Sequence, residues 1–136
     1  MNLESIPLLA MLKGKLGYVN QRQKLLAENV ANADTPGYAP RDLKPFSFDQ
    51  ALKSSTALGG LQRTNAMHLQ GSVAQNSVWQ PQVSPDSEAR LDGNQVVLED
   101  EMMKMTESRL DFETAVGLYQ QSLGLIRLAA RKPGAS

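Results

Sequence analysis

Apolar residues recur alternately three and four positions apart in the last third of the chain, from about residue 98 to residue 131. The set consists of Met102, Met105, Arg109, Phe112, Val116, Tyr119, Leu123, Ile126 and Ala130, with Arg109 as its one polar member. This spacing is typical of a coiled-coil seam. Because no proline interrupts it, the pattern predicts one helix with a length of about 50 Å, which is long for a small compact domain.

The same spacing occurs near the start of the chain and predicts a first helix from about Pro7 to Asn32. Its apolar line consists of Leu9, Leu12, Leu16, Val19, Gln23, Leu26, Val30 and Ala33. Pro7 is tolerated because a helix does not need the N–H groups of its first turn. Gly14 and Gly17 weaken the helix, and we expect them to let a neighbouring backbone approach closely.

These two patterns predict a mainly α protein in which the terminal helices pair as an antiparallel coiled-coil hairpin. We expect residues 1–34 and 98–136 to form one axial coiled-coil domain, and residues 35–97 to form a loop-rich middle segment. The side chains predicted to form the coiled-coil and assembly seam are Leu9, Leu12, Leu16, Val19, Leu26 and Val30 on the first helix and Phe112, Val116, Tyr119, Leu123 and Ile126 on the last.

A second apolar line, formed by Leu118, Leu125 and Leu128, lies on the last helix away from this seam. One partner helix covers one seam, so a helix that is apolar on two sides needs a second neighbour. One interpretation is the core of a three-helix domain. Few other long helices are predicted in the chain, which favours contact with neighbouring molecules.

Turn-forming residues follow the first helix and precede the last one. Thr35 cannot continue a helix into Pro36, and Pro36-Gly37 suits the centre of a type II turn with Gly37 at positive φ. The string that ends at Tyr38 also contains Asn29, Asn32 and Asp34, whose side chains we expect to satisfy backbone groups at the helix end. Asp92, Gly93 and Asn94 predict the turn that brings the last helix back along the first.

The middle segment shows no sustained periodicity, and its prolines and the Gly59-Gly60 pair predict loops with short elements. Residues 46–52 suit a short helix, and residues 72–78 suit a short strand. Trp79 stands among polar residues, so it is an anchor either for a local core or for an interface.

Composition excludes several classes of function. The chain has 136 residues, of which 41% are hydrophobic and 5% aromatic, so one domain with a modest core is expected. Fourteen basic side chains balance 14 acidic ones, which argues against nucleic-acid binding and against a polybasic membrane surface. Cysteine is absent, so disulfides and thiolate metal sites are excluded. The early apolar run of residues 8–12 is too short for a signal-peptide core or a membrane span.

The residues of the chain do not suggest a catalytic centre, and we predict no catalytic, cofactor-binding or metal-binding residues. His68 is the only histidine and lies in a polar stretch, where a hydrogen bond within the loop explains it better than catalysis. The carboxylates of the last helix are spaced as a solvated face. We therefore expect a protein that is not an enzyme.

The residues at 27–38, Ala-Glu-Asn-Val-Ala-Asn-Ala-Asp-Thr-Pro-Gly-Tyr, followed by Arg41-Asp42, resemble the N-terminal signature of flagellar rod, hook and hook-filament junction proteins. Among these, the short chain is most similar to the proximal rod proteins of the basal body, the FlgB family. Further similarities occur at residues 63–69, at residues 91–96 and at the acidic, methionine-containing start of the last helix. Family members commonly have an aspartate as N-cap where this chain has Val97, which leaves the helix start in question.

The resemblance implies a structural subunit that polymerises into the drive shaft of the basal body, transmits torque from the membrane ring to the hook and encloses the export channel. It implies self-association in a helical assembly and contacts with FliE, with the rod proteins FlgC and FlgF, and with the export gate and MS ring. It also implies a location in the rod within the periplasmic space, reached through the flagellar type III apparatus without a cleaved signal peptide. No nucleic acid, cofactor or direct membrane span is implied.

An alternative interpretation of the helical pattern is a soluble coiled-coil adaptor or secretion chaperone that binds a single partner. Such a protein needs a closed and stable oligomer, whereas a rod subunit needs contacts that continue from copy to copy.

Overall fold

The computed structural model describes residues 6–49 and 79–131. Helix α1 spans Pro7–Ala31, strand β1 spans Arg41–Leu43, strand β2 spans Pro81–Val83 and helix α2 spans Leu98–Ala130. The two helix predictions are therefore confirmed to within about one residue at each end. The predicted strand at residues 72–78, residues 50–52 of the predicted helix at residues 46–52, and His68 lie outside the described residues.

The ends of the helices follow from local chemistry. Helix α1 begins at Pro7 and is followed by Asn32, whose side-chain Nδ2 donates to the Glu28 carbonyl oxygen at 2.8 Å. Helix α2 has no side-chain cap on Val97, but Asp86 Oδ2 accepts a hydrogen bond from the Val97 backbone N–H at 2.9 Å. The negative charges of three acidic residues in the first turn of α2 also interact favourably with the positive end of the helix dipole and stabilise the helix. Asp86 therefore anchors the residue before the helix, while no side chain accepts the N–H groups inside the first turn.

The two helices pack side by side and antiparallel. Lys15 pairs with Asp111 at 3.2 Å, Arg22 pairs with Glu107 at 3.4 Å and Asn29 bonds Glu101 at 2.8 Å, so positions advance on α1 as they recede on α2. On α1 the apolar line is inside as predicted, because Leu9, Leu12, Val19 and Leu26 are buried while Leu16 and Val30 are half-buried. The predicted helical hairpin is confirmed.

The inner face of α2 differs from the predicted three-four line, of which Met102, Arg109 and Ala130 are exposed. The predicted inward positions of Met102, which is 58% exposed, and of Ala130 are therefore wrong. Arg109, the one polar member of the line, pairs with Glu113 of the solvated face at 3.2 Å, as expected of a charged residue. The buried residues of α2 are Glu101, Ser108 and Ala115, which follow one another at seven-residue intervals. The face of α2 that contacts α1 is thus rotated by one residue from the predicted seam. The small side chains of Ser108 and Ala115 face α1, and Arg109 lies in water.

The core lies where β1 and three aromatic side chains meet the two helices. Tyr18, Val19, Leu25 and Leu43 form a buried cluster, against which Phe46, Trp79 and Phe112 pack. The Trp79 ring lies edge-on to Tyr18 with centroids 6.1 Å apart, so Trp79 is an anchor of the local core. Strands β1 and β2 pair antiparallel with Asp42 opposite Gln82. These three-residue strands are too short to show a periodic pattern in the sequence, and they were not predicted.

Gly14 and Gly17 make room for aromatic rings and not for a neighbouring backbone, contrary to our expectation. A Cβ atom at Gly17 would lie 2.9 Å from Trp79 Cη2, whereas one at Gly14 would lie 3.7 Å from Phe46 Cζ, an ordinary contact. We therefore expect Gly14→Ala to stabilise the protein by about 1 kcal/mol through helix propensity. Gly17→Ala should lose that gain and shift the fluorescence emission of Trp79, the only tryptophan. Equal stabilisation by both variants in urea unfolding, with unchanged emission, would contradict this.

Candidate functional site

The two turns predicted from the sequence contact each other. Gly37 has a φ of 72° and the Tyr38 N–H donates to the Thr35 carbonyl oxygen at 3.3 Å, as in a type II turn. Gly93 has a φ of 82°, and a Cβ built on it would lie 3.4 Å from Gly37 Cα. The Gly37 N–H donates to the Asp92 carbonyl oxygen at 3.2 Å. Both positions therefore favour glycine, because of the backbone angle and the close approach.

Asn94 joins the second turn to the end of α1. Its side chain is completely buried, and Nδ2 donates to the carbonyl oxygens of Asn32 at 2.9 Å and Thr35 at 2.7 Å. Its Oδ1 accepts a hydrogen bond from the Val96 N–H at 2.9 Å, just before α2 begins. One side chain thus links the end of the first helix to the start of the last.

Asn29 is the centre of a second set of hydrogen bonds. Its Nδ2 donates to the Arg41 carbonyl oxygen and to Glu101 Oε2, each at 2.8 Å. Its Oδ1 accepts from the Arg41 N–H at 3.0 Å and from the Tyr38 hydroxyl at 3.1 Å. Both donors and the acceptor oxygen are used, so Asn29 connects α1, β1, the first turn and α2.

The predicted capping by this motif is only partly correct. Asn32 does bond a carbonyl oxygen at the end of α1, as expected. Asn29 instead faces the interior, and Asp34 is almost fully exposed, where it pairs with Arg90 at 3.4 Å. The expectation was wrong for these two side chains because the turn folds back over α1 and buries Asn29.

A buried charge cluster completes this site. Lys104 Nζ donates to Glu101 Oε1 at 2.8 Å and to Asp86 Oδ1 at 2.5 Å. Burial raises the pKa of Glu101, although hydrogen bonds from Lys104 and Asn29 oppose the change. Burial by itself lowers the pKa of Lys104, but its two carboxylate partners outweigh this and raise it. Two carboxyl side chains therefore share one ammonium group as their hydrogen-bond donor.

Asn29, Asp86, Asn94, Glu101 and Lys104 are together termed the polar clasp. The sequence indicated Asn29 and Asn94 through their turns, whereas Glu101 was assigned to a solvated face with the other carboxylates of the last helix.

The raised pKa of Glu101 predicts a dependence of stability on pH. The folded protein binds this proton more tightly than the unfolded chain, so the stabilisation is complete below the ordinary value of 4.5 and is lost as pH rises through the raised value. We expect the unfolding free energy of the wild type, relative to that of Glu101→Gln, to fall as pH rises above 4.5. Urea unfolding of both proteins at a series of pH values measures this difference, and a flat or rising difference would contradict the prediction.

The outer face of α2 carries exposed apolar side chains. Leu118, Leu125 and Leu128 are 48%, 62% and 65% exposed, and Met103 and Leu110 are also exposed on the side away from α1. These five side chains are together termed the outer apolar line. Among residues 6–49 and 79–131 no third helix packs on it, so the described part of the chain offers no three-helix core. Contiguous exposed apolar residues often mark interaction sites.

The charged groove beside the core does not suggest catalysis. Its volume is about 510 Å³, and its lining includes Lys15, Arg22, Asp42 and Asp111. These groups neutralise one another, since Arg22 bonds both Asp42 oxygens and Lys15 pairs with Asp111. Within the described ranges no group of three potential metal ligands occurs. None of the helices described is both long and apolar enough to cross a membrane.

Comparison with known proteins identifies similar chains. The sequence model of a family described as flagella basal body rod protein matches residues 20–38, which include Asn29 and the first turn. The flagellar basal body rod protein FlgB of Cereibacter sphaeroides is 32% identical over 113 residues, which cover 81% of this chain and 83% of that protein. FlgB of Agrobacterium fabrum is 27% identical over 121 residues (88% and 89% covered), and FlgB of Escherichia coli is 30% identical over 101 residues (71% and 72% covered).

Proposed function

Since this chain belongs to the FlgB family of flagellar basal body rod proteins, we propose that it polymerises into the proximal rod and transmits torque from the membrane ring to the hook. It is a structural subunit of the basal body rod and not an enzyme. The proposal adds that copies of the subunit enclose the export channel and associate through contacts that do not close into a dimer.

The observation that best supports this proposal is the outer apolar line. Burying a leucine side chain contributes about 1.5 to 3 kcal/mol, so the exposed Leu118, Leu125 and Leu128 leave a large stabilisation unused in the isolated subunit. Contact with a neighbouring subunit that covers this face would bury these leucines and provide that stabilisation. We propose that the outer apolar line and the half-buried seam residues Leu123 and Ile126 are assembly contacts.

The polar clasp supports the same function from inside the hairpin. A torque-bearing subunit needs terminal helices held at a fixed angle and distance, and the clasp holds them through buried hydrogen bonds from Asn29 and Asn94. We propose that the turn motif from Asn29 to Tyr38 and the turn from Asp92 to Asn94 serve to shape the hairpin, with residues 1–34 and 98–136 forming the axial domain.

Partners and export follow from membership of the family and are part of the proposal. We propose contacts with FliE, FlgC and FlgF, with the export gate and with the MS ring. We further propose that the subunit reaches the rod through the flagellar type III apparatus without cleavage and lies within the periplasmic space.

Deletion and complementation test the proposed role. A strain of the source bacterium that lacks this gene should not swim and should yield basal bodies without a rod in electron micrographs. The wild-type gene should restore both. A deletion strain that swims normally would overturn the proposal.

The location of the protein separates the rod subunit from the adaptor or secretion chaperone. A rod subunit remains in purified basal bodies after detergent extraction and washing, as detected by immunoblotting. An adaptor or chaperone would stay in the soluble fraction with its partner. Recovery only in the soluble fraction would therefore favour that alternative.

A further inference from the structure

The length of the connection does not explain why α1 and α2 pack in one register. It runs from residue 32 to residue 97. A connection of this length allows the helices to slide by several residues, since the entropy of loop closure changes only slowly with length. Contacts between the two ends of the connection must therefore fix the position of α2 along α1, and the backbone hydrogen bonds Gly37–Asp92 and Gln95–Tyr38 are part of them.

The apolar contacts discriminate poorly between registers one heptad apart. On α1 the buried residues Leu12, Val19 and Leu26 follow at intervals of seven. On α2, Ser108 and Ala115 are followed at the same interval by Ser122, so a slide of about 10 Å again brings small side chains to the contact. The buried Ser108 hydroxyl has no hydrogen-bond partner and gives no preference for the native register.

The ion pairs between the helices give only a weak preference for the native register. Lys15 and Arg22 lie seven residues apart and pair with Asp111 and Glu107. A slide of one heptad toward the start of α2 would bring Arg22 level with Asp100 and Lys15 level with Lys104, so one attractive pair would be kept and one lost. Partly exposed ion pairs contribute about 0 to 1 kcal/mol each, which is too little to fix one register.

We propose that the polar clasp sets the register of the helical hairpin, through the buried side chains of Asn94 and Glu101. Asn94 reaches the carbonyl oxygens of Asn32 and Thr35 in the native position only, and Glu101 reaches Asn29 in that position only. A one-heptad slide separates both sets of partners and leaves buried polar groups without hydrogen bonds. Buried polar side chains specify register in coiled coils by the same mechanism.

Carbodiimide crosslinking of the full chain tests this, because the reagent joins a lysine to a carboxylate in direct contact. In the wild type, mass spectrometry should show Lys15 joined mainly to Asp111. In the Asn94→Ala/Glu101→Met variant, the ratio of Lys15–Asp111 to Lys15–Asp100 products should fall at least threefold while the helical circular dichroism signal persists. Glu113→Met, which removes an exposed carboxylate from the same helix, should leave the ratio unchanged.

A variant that is less stable but keeps the polar clasp should give the same crosslink ratio as the wild type. Leu12→Ala should lower the melting temperature without altering the crosslink ratio of the folded molecules, because it removes apolar contact and leaves the clasp intact. An unchanged ratio in the helical double variant, or an equal fall in Leu12→Ala, would overturn the proposal. If the double variant loses its helical signal, the two single variants are compared, and an unchanged ratio in both would also overturn it.

Discussion

Asn29→Ala is expected to destabilise the protein by about 3 kcal/mol, an effect comparable to truncation of a buried leucine. The substitution removes four hydrogen bonds and leaves buried groups of Arg41 and Glu101 without their partner. It also leaves the Tyr38 hydroxyl without an acceptor. Each buried polar group that loses its partner costs about 1 to 3 kcal/mol, and partial access of water limits the sum.

Urea unfolding followed by circular dichroism measures this effect. Asn20→Ala is the matched control, because Asn20 is an exposed asparagine of the same helix. We expect that control to change the unfolding free energy by less than about 0.5 kcal/mol. Equal effects of the two variants would mean that the polar clasp does not stabilise the hairpin.

Leu125→Asp is expected to abolish rod assembly and to reduce swimming at least tenfold while leaving the isolated subunit folded. Leu125 is 62% exposed, so an aspartate there meets water in the free chain and costs little. In the assembly the same carboxylate would be buried against a neighbour without a partner. Leu125 is a sharper test than Leu123, which is half-buried and would also disturb the subunit itself.

Swimming in soft agar and electron microscopy of basal bodies measure the assembly effect, and circular dichroism of the purified variant checks its fold. Gln120→Asp adds the same charge at an exposed polar position of α2 and should leave swimming unchanged. Normal swimming of a strain carrying Leu125→Asp would argue against the outer apolar line as an assembly contact.

The features that depend on local sequence were predicted correctly. Helix ends are fixed by Pro7 and by the turn residues, and Gly37 adopts the positive φ that the Pro-Gly pair required. The pairing of the helices followed from two seams of equal spacing, and its antiparallel direction from the turn at Asp92, Gly93 and Asn94. These signals are local because they depend on backbone preferences and on periodicity within one helix.

The features that depend on distant partners were not predicted. The inward rotation of α2 became clear only when Glu101 was seen to bond Asn29, 72 residues away in the chain. Similarly, Asp86 accepts the Val97 N–H at the start of α2 from a separate loop. Spacing alone does not show which polar residue has a buried partner.

The sequence did identify the outer leucines as lying away from the seam, and their exposure agrees with this. We propose that a neighbouring subunit buries the outer apolar line in the assembled rod.

Cysteine accessibility at Leu125 tests that claim most directly, since the natural chain contains no cysteine. A functional Leu125→Cys variant is treated with a maleimide as the free subunit and within purified basal bodies, with Gln120→Cys as the reference position. We predict rapid labelling of Cys at 125 in the free subunit and at least tenfold slower labelling in basal bodies. Equally rapid labelling of position 125 in both states would show that it faces water in the assembled rod and would contradict the account.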